Sequence, residues 1–306
     1  MNGEGPGARL RFGAGAEGIE RMAASLVGEA FAPHRHDRYA IGITLRGVQT
    51  FRYRGEARHC LPGEWHILHP DELHDGAPGT EEGFGYRIFY VDPALVGEAL
   101  GGGPLPFVPD PVVRRMPPAL AACLRRLDEP LGELERVEVA LAIARSLAAH
   151  AGARQAGRGA GRAAAAVEAL ARVRDLIAAD PAVRHPVAVF ERVSGLDRWT
   201  IARQFRAVFG TSPTRFRTMR QLDVARRALR AGLPPAVAAQ AAGFADQSHL
   251  TRRFKGAYGL TPARWQAACG SAGPGLDRPD DGGHVEAAVP ERERLGEQLV
   301  ADVEER

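Results

Sequence analysis

The sequence predicts an α+β multidomain protein: a strand-rich N-terminal domain, a helical middle segment, and an all-α C-terminal domain of two helix-turn-helix units. Three observations carry this. First, one phrase in the C-terminal third occurs twice, 49 residues apart. Arg203-x-Phe205-Arg206-x-x-Phe209-Gly210-x-Ser212-Pro213-x-Arg215-Phe216 is answered by Arg252-x-Phe254-Lys255-x-x-Tyr258-Gly259-x-Thr261-Pro262-x-Arg264-Trp265. Nine positions match in residue type at fixed spacing, which marks a supersecondary unit built twice. Second, residues 30–92 fall into short, partly alternating runs divided by turn signals. Third, large apolar residues recur at helical spacing over 112–151.

The strand runs are Tyr39–Leu45, Gln49–Arg54, Glu64–His69 and Gly85–Val91, separated by Arg46-Gly47, Gly55-Glu56, Pro62-Gly63 and Pro70-Asp71. Many short strands at close spacing indicate a barrel or sandwich, here placed at residues 29–110. Ahead of them the Gly-rich residues 1–28 read as a flexible arm, and Met1–Ala16 lacks the apolar stretch of a secretory signal. In 111–151 the series Leu120, Leu124, Leu127, Leu131, Leu134 and Val137, Leu141, Ile143, Leu147 is broken by Pro130. It reads as two helices that cover the barrel and offer a dimerisation surface. Residues 152–166 are Gly, Ala and Arg with little else, as a linker would be. Residues 271–306 read as a disordered acidic tail.

Charge is uneven although the net is only +3. Residues 166–270 hold 17 basic and 7 acidic residues, whereas 271–306 hold 4 basic and 10 acidic. A concentrated basic domain is the electrostatic footprint of a phosphate-backbone binder. No run of about 18 apolar residues exists, so no membrane partner is expected. Cys60, Cys123 and Cys269 show neither metal spacing nor a disulfide framework, which fits a reducing cytoplasm.

In the first unit Val187–Val193 forms a helix, Ser194-Gly195-Leu196 a turn, and Asp197 the N-cap of the next helix. Ile201 and Phe205 face inward, leaving Trp199, Thr200, Ala202, Arg203 and Arg206 outside. In the second unit Val237–Ala242 leads to a turn at Gly243-Phe244 and a cap at Asp246. Leu250 and Phe254 face inward, and Gln247, Ser248, His249, Thr251 and Arg252 lie outside. Arg and Gln on such a helix can read guanine and adenine in the major groove. Arg253 and Lys255 suit phosphates, which position without specifying. Thr214–Leu229 reads as a rigid spacer setting the two reading helices about 34 Å apart, one turn of DNA.

Residues 170–268 resemble the AraC/XylS-type double helix-turn-helix domain, most closely in Gly243-Phe-Ala-Asp-Gln-Ser-His-Leu-Thr-Arg-Arg-Phe-Lys followed by Gly259-Leu-Thr-Pro-Ala-Arg-Trp. The resemblance implies a sequence-specific transcriptional regulator, an activator by expectation. Double-stranded DNA and a homodimer are its implied partners, with RNA polymerase a candidate. The family's base-contact positions fall on Trp199, Ala202 and Arg203, and on Gln247, Ser248, His249, Thr251 and Arg252. Asp197 stands where Ser is usual, and Ala202 cannot hydrogen-bond a base, so the first unit is expected to read fewer bases.

Residues 31–92 are similar to the cupin-like sensor domain of the same family, through His34-Arg35-His36-Asp37-x-Tyr39, Gly47, Pro62-Gly63 and Pro70-x-x-x-His74. The implied fold is a small β-barrel holding a small-molecule effector. His34, His36, Tyr39, Trp65, His74, Arg87 and Tyr90 are expected to line it. His34, His36 and His74 also invite a metal reading. A cupin-type metal-dependent enzyme fused to a DNA-binding module is therefore the rival. It needs a carboxylate ligand, and Gln49 sits near where one would fall. No metal, cofactor or catalytic residue is expected. A DNA-repair sensor with a metal-held cysteine is disfavoured by the scattered cysteines, and an architectural binder by the paired Gln and Arg positions.

Overall fold

Ten strands and ten helices are formed by residues 7–102, 105–151 and 160–270, the residues that the computed structural model describes. The strands are β1 (Gly7–Phe12), β2 (Ile19–Val27), β3 (Phe31–His34), β4 (Tyr39–Gly47), β5 (Gln49–Tyr53), β6 (Glu56–Cys60), β7 (Trp65–Leu68), β8 (His74–Pro78), β9 (Phe84–Val91) and β10 (Val112–Val113). They form two sheets rather than one closed barrel. The larger has the order β1-β2-β9-β4-β7-β10 and the smaller β3-β8-β5-β6. All the registered pairs are antiparallel.

Two expectations change here. Residues 7–27 are not a flexible arm. They are strands β1 and β2, paired with each other and, through β2, with β9. Residues Arg21 through Leu26 are buried without alternation, and a strand covered on both faces loses its period-2 signature. The expected linker at 152–166 is entered by α4, which runs Ala160–Ala179. The expected linker's residues 152–159 and the expected acidic tail at 271–306 lie outside the described residues.

The larger sheet separates two cores. Its outer face carries Tyr39, Ile41, Trp65, Ile67, Phe89 and Val91. Against it pack α1 (Pro93–Ala99), α2 (Pro118–Arg125) and α3 (Glu133–His150), through Leu120, Leu124, Ile143 and Leu147. Each of these four is fully buried, a contribution of about 1.5–3 kcal/mol apiece. Leu134 and Val137 at the start of α3 are instead 71% and 50% exposed. The inner face carries Ala40, Leu68, Tyr86 and Ile88, which meet Phe51 and Tyr53 of the smaller sheet.

The C-terminal domain contains α4, α5 (Val187–Ser194), α6 (Arg198–Phe209), α7 (Pro213–Arg230), α8 (Pro235–Ala241), α9 (Gln247–Tyr258) and α10 (Pro262–Gly270). Leu170, Val173, Ile201, Phe205, Phe209 and Phe216 make the core of the first unit. Leu222, Leu250, Phe254 and Trp265 of the second unit share a core with the inner face of the sheet. The two domains thus pack into a single unit.

The repeated glycines explain how. Gly210 and Gly259 end α6 and α9 in left-handed conformations, φ 70° and 72°. A Cβ on Gly210 would lie 2.8 Å from Cβ of Pro70, and one on Gly259 2.8 Å from Cβ of Phe31. Ala32 N donates to Gly259 O at 3.1 Å, and Arg35 N to Gly256 O at 3.1 Å. Each repeat therefore ends in a cap that is both strained for other residues and pressed against the N-terminal domain. Gly195 has the same conformation, φ 71°, with nothing within 4 Å of its missing Cβ. Gly195→Ala is expected to cost about 1 kcal/mol, the left-handed penalty alone. Gly259→Ala should cost clearly more because its methyl has no room. Denaturant unfolding of the two variants checks the difference; equal losses would contradict the docked cap.

Candidate functional site: DNA interface and effector cavity

Both reading helices are built by the same local devices. Asp197 accepts from Trp199 N and Thr200 N, each at 3.0 Å, and caps α6. Asp246 accepts from His249 N at 2.6 Å and caps α9. These carboxylates satisfy N–H groups that the first helical turn cannot. Ile201, Phe205 and Phe209 bury one face of α6, and Leu250, Phe254 and Ala257 one face of α9. Helical spacing then places Trp199, Ala202, Arg203 and Arg206 outside on α6, and Gln247, Ser248, Arg252, Arg253 and Lys255 outside on α9. Trp199 is 70% exposed, which removes a core role for it.

Four of the expected contacts have partners within the protein, Arg203 Nη2 donating to Thr200 Oγ1 at 3.5 Å. Thr200 Oγ1 donates to Asp197 at 2.6 Å, reinforcing the cap. The His249 ring stands edge-on to Phe244, and its Nε2 accepts from Arg253 Nε at 3.4 Å. Arg206 Nη2 donates to Asp71 Oδ2 of the N-terminal domain at 2.7 Å. The N-terminal domain meets each reading helix at its C-terminal cap, so Trp199, Gln247 and Ser248 lie at the far, N-terminal ends, with Arg203 midway along α6. Those ends are the ones that helix-turn-helix proteins turn to base edges. Helix α7 connects the units; its 18 residues span about 27 Å at a rise of ~1.5 Å each.

A cavity of about 70 Å³ lies between the domains. His34, His36, His74 and Tyr90, four of the expected effector residues, line it. Tyr39, Trp65 and Arg87 do not. Tyr39 and Trp65 belong to the outer core, Tyr39 donating to Pro106 O at 3.1 Å, and Arg87 Nη1 donates to Leu124 O at 3.3 Å. The physical reason is strand alternation: Tyr86, Ile88 and Tyr90 face one side of β9, so Arg87 and Phe89 face the other. His66 and Gln49, not in the expected set, line the cavity as well.

Three of the four cavity histidines are each fixed by a backbone carbonyl two residues away. His34 Nδ1 lies 2.8 Å from Ala32 O, His36 Nδ1 2.8 Å from Arg38 O, and His74 Nδ1 2.9 Å from Glu72 O. A carbonyl only accepts, so each Nδ1 carries the proton and Nε2 is the acceptor nitrogen. The His74 ring centroid is 4.3 Å from that of His34 and 4.7 Å from that of His36, while His34 and His36 are 6.2 Å apart. Among the described residues no group of three or more His, Cys, Asp or Glu stands in a metal-holding arrangement. His66 Nδ1 is buried with no hydrogen-bond partner.

The opposite wall comes from the C-terminal domain: Met219, Asp223 and Arg226 of α7, Ala257 and Tyr258 of α9, and Trp265 of α10. Helix α7, expected only as a spacer, is therefore also a wall of the cavity. An acid, Asp223, among the arginines of a basic helix was the available signal. Charged side chains tie the wall to the sheet. Arg226 binds both Glu20 oxygens at 2.7 and 2.5 Å, Arg220 reaches Asp37 at 2.8 Å, and Arg38 reaches Asp223 at 3.4 Å. Burial by itself would raise the Asp223 carboxyl, but Arg220, Arg38 and Arg226 hold it at about 2. For Asp37 burial outweighs Arg220 and Arg38, and its carboxyl rises.

Burial likewise disfavours the imidazolium forms. It lowers His34 and His66 to about 4, and with repulsion from His34 it lowers His36 to about 3. His74 falls well below its ordinary value for the same reasons. The unfolded chain, with ordinary values near 6.5, thus takes up protons first as pH falls. Stability present above pH 6.5 is lost progressively toward pH 4. Calorimetry should show a melting temperature that declines from pH 6.5 to 4, less steeply in His36→Gln. A flat profile would contradict the neutral, buried histidines.

Comparison with known proteins agrees with both halves of this geometry. Residues 18–149 match the family model described as an AraC-like ligand binding domain, and residues 191–268 match that of a helix-turn-helix domain. YbfI of Bacillus subtilis, named an uncharacterized HTH-type transcriptional regulator, is 24% identical over 230 residues, covering 72% of this chain and 82% of its own. A putative AraC-like transcription regulator of Streptomyces antibioticus is 31% identical over 88 residues, covering 28% of this chain and 29% of its own. ToxT of Vibrio cholerae has the same fold at 8% identity, with a TM-score of 0.59 over 82% of this chain and 99% of ToxT. A ToxT structure with a bound unsaturated fatty acid aligns at a TM-score of 0.56 and 8% identity, over 86% of this chain and 95% of its own. With an effector-type domain joined to a paired helix-turn-helix domain, the chain belongs to the AraC family of transcriptional regulators.

Proposed function

We propose that this protein is an effector-responsive activator that binds a specific DNA site as a homodimer. The observation that carries the reading is the shared cavity: one wall is the sensor sheet and the other is the DNA-binding domain itself. At about 70 Å³ it is smaller than the roughly 300–1,000 Å³ of small-molecule sites. A ligand larger than a few waters is accommodated by moving Met219, Tyr258 and Trp265, and with them α7, α9 and α10. Binding then shifts the population toward arrangements in which the reading helices stand differently. The ToxT structure bound to an unsaturated fatty acid supports a small organic molecule as the effector. Gln49, where a metal-dependent enzyme would need a carboxylate, supports binding over catalysis.

Trp199, Arg203, Gln247, Ser248 and Arg252 are assigned to base edges, with Thr200, His249 and Thr251 beside them. Arg206, Arg253 and Lys255 are assigned to phosphates. His34, His36, His74 and Tyr90 are assigned to the effector, joined by His66 and Gln49. The exposed Leu134 and Val137 of α3 support a contact between two copies, and RNA polymerase is the partner that activation implies. No helix among the described residues is long and apolar enough to cross a membrane. We place the protein in the cytoplasm, where Cys60, Cys123 and Cys269 remain thiols.

Footprinting on DNA upstream of the protein's own gene, with excess nonspecific competitor, tests the reading. A discrete protected site spanning successive major grooves is expected. Arg252→Ala should weaken it by about 1–3 kcal/mol, roughly fivefold to 150-fold. Lys255→Ala should weaken all sequences alike and reduce the salt slope by about 1. Uniform protection of every duplex, insensitive to Arg252, would count against sequence-specific regulation.

A further inference from the structure

Asp71 joins three things that the functional reading leaves separate. Its carboxylate is almost buried, 7% exposed, and faces two arginines of the first helix-turn-helix unit. Arg206 Nη2 lies 2.7 Å from Oδ2, and Arg215 Nε lies 2.5 Å from Oδ1 in an ionic contact without hydrogen-bond alignment. Its backbone is left-handed, φ 63°, one of two such non-glycine residues among those described. Its amide donates to His36 O at 2.7 Å. Three residues later His74 lines the cavity beside His36. The turn from Pro70 to His74 therefore runs from the C-terminal cap of α6 to the cavity histidines. Non-glycine residues in this conformation cost free energy and persist where the surroundings hold them, often at switch points.

We propose that Asp71 masks Arg206: it occupies, from the sensor side, a guanidinium that the first unit otherwise offers to a DNA phosphate. Arg206 belongs to the outward row of α6 with Trp199 and Arg203, and its side chain is still 63% exposed. It is thus accessible to a phosphate, yet neutralised by a carboxylate that DNA must displace. Movement of the Pro70–His74 turn, through His36 or His74, releases it. The inference rests on the assignment of α6 to DNA.

The test is a salt titration of binding to a mixed-sequence 40-base-pair duplex, read by fluorescence anisotropy on the full chain. Asp71→Asn removes the charge while keeping a side chain that tolerates the left-handed backbone. Asp71→Gly does so with no backbone cost, should Asn fold poorly. Each phosphate gained steepens the dependence of log K on log salt by about 0.9. Both Asp71 variants are expected to bind severalfold more tightly with a slope steeper by about that amount. Arg206→Ala should leave the slope of the unaltered chain unchanged and lower it by about 0.9 in the Asp71→Asn background. Lys255→Ala, at the phosphate contact assigned to the second unit, should flatten the slope by about 0.9 in both backgrounds. Equal effects of Arg206→Ala in both backgrounds, or none in either, would overturn the masking. Salt-insensitive binding that ignores Lys255 would overturn the DNA reading itself, and the masking with it.

Discussion

A band of charge closed between two domains governs how this molecule is arranged. Asp223 sits among Arg38, Arg220 and Arg226, and Glu20 and Asp37 complete the set. These groups come from β2, the turn before β4, and α7, so no single domain satisfies them. An unpaired charge left in such a place is costly, whereas the complete set tolerates one geometry only. What the band supplies is position more than stability. It fixes α7 against the mouth of the sensor sheet, and α7 carries both helix-turn-helix units.

From that placement the rest follows. With α7 held, the second unit packs Phe254 and Trp265 into the same core as Tyr86 and Ile88. The first unit touches the sensor domain through Gly210 at Pro70 and through Arg206 and Arg215 at Asp71. The cavity is the gap left in the middle of this contact. A small molecule there would meet the sensor histidines on one side and helices α7, α9 and α10 on the other. The sheet and the helices of the C-terminal domain face each other directly across this cavity.

The repeat acquires a second meaning in this setting. Its Gly and Arg positions are usually read as part of the helix-turn-helix unit alone. Here Gly210 and Gly259 let distant segments of the chain approach closely, and Arg215 and Arg264 both reach carboxylates of the sensor domain, Asp71 and Glu29. The same phrase written twice thus docks twice. This also accounts for the polarity of the interface, since both reading helices present their capped N-terminal ends away from the sensor.

The sequence by itself determined the units whose causes are local. Asp197 and Asp246 cap helices because their carboxylates reach amides two or three residues ahead. Gly195 and Gly243 turn the chain because only they adopt positive φ freely, and 3.6-residue spacing sends Arg203 and Arg252 outward. The histidine pair His34 and His36 was legible from its spacing, although β3 ends at His34 and His36 lies in the segment after it. Tertiary structure alone decided what depends on partners far away in the chain. Strand β2 carries no alternation because it is covered on both faces, so nothing in Arg21–Leu26 announced a strand. Arg87 faces the outer core rather than the cavity, a consequence of registering β9 between β2 and β4. Arg206 looks like any outward arginine until Asp71, 135 residues away, is folded beside it. Local hydrogen bonds and helical periodicity are written in neighbouring residues; which surface a finished element is buried against is settled only when distant chain segments compete for it.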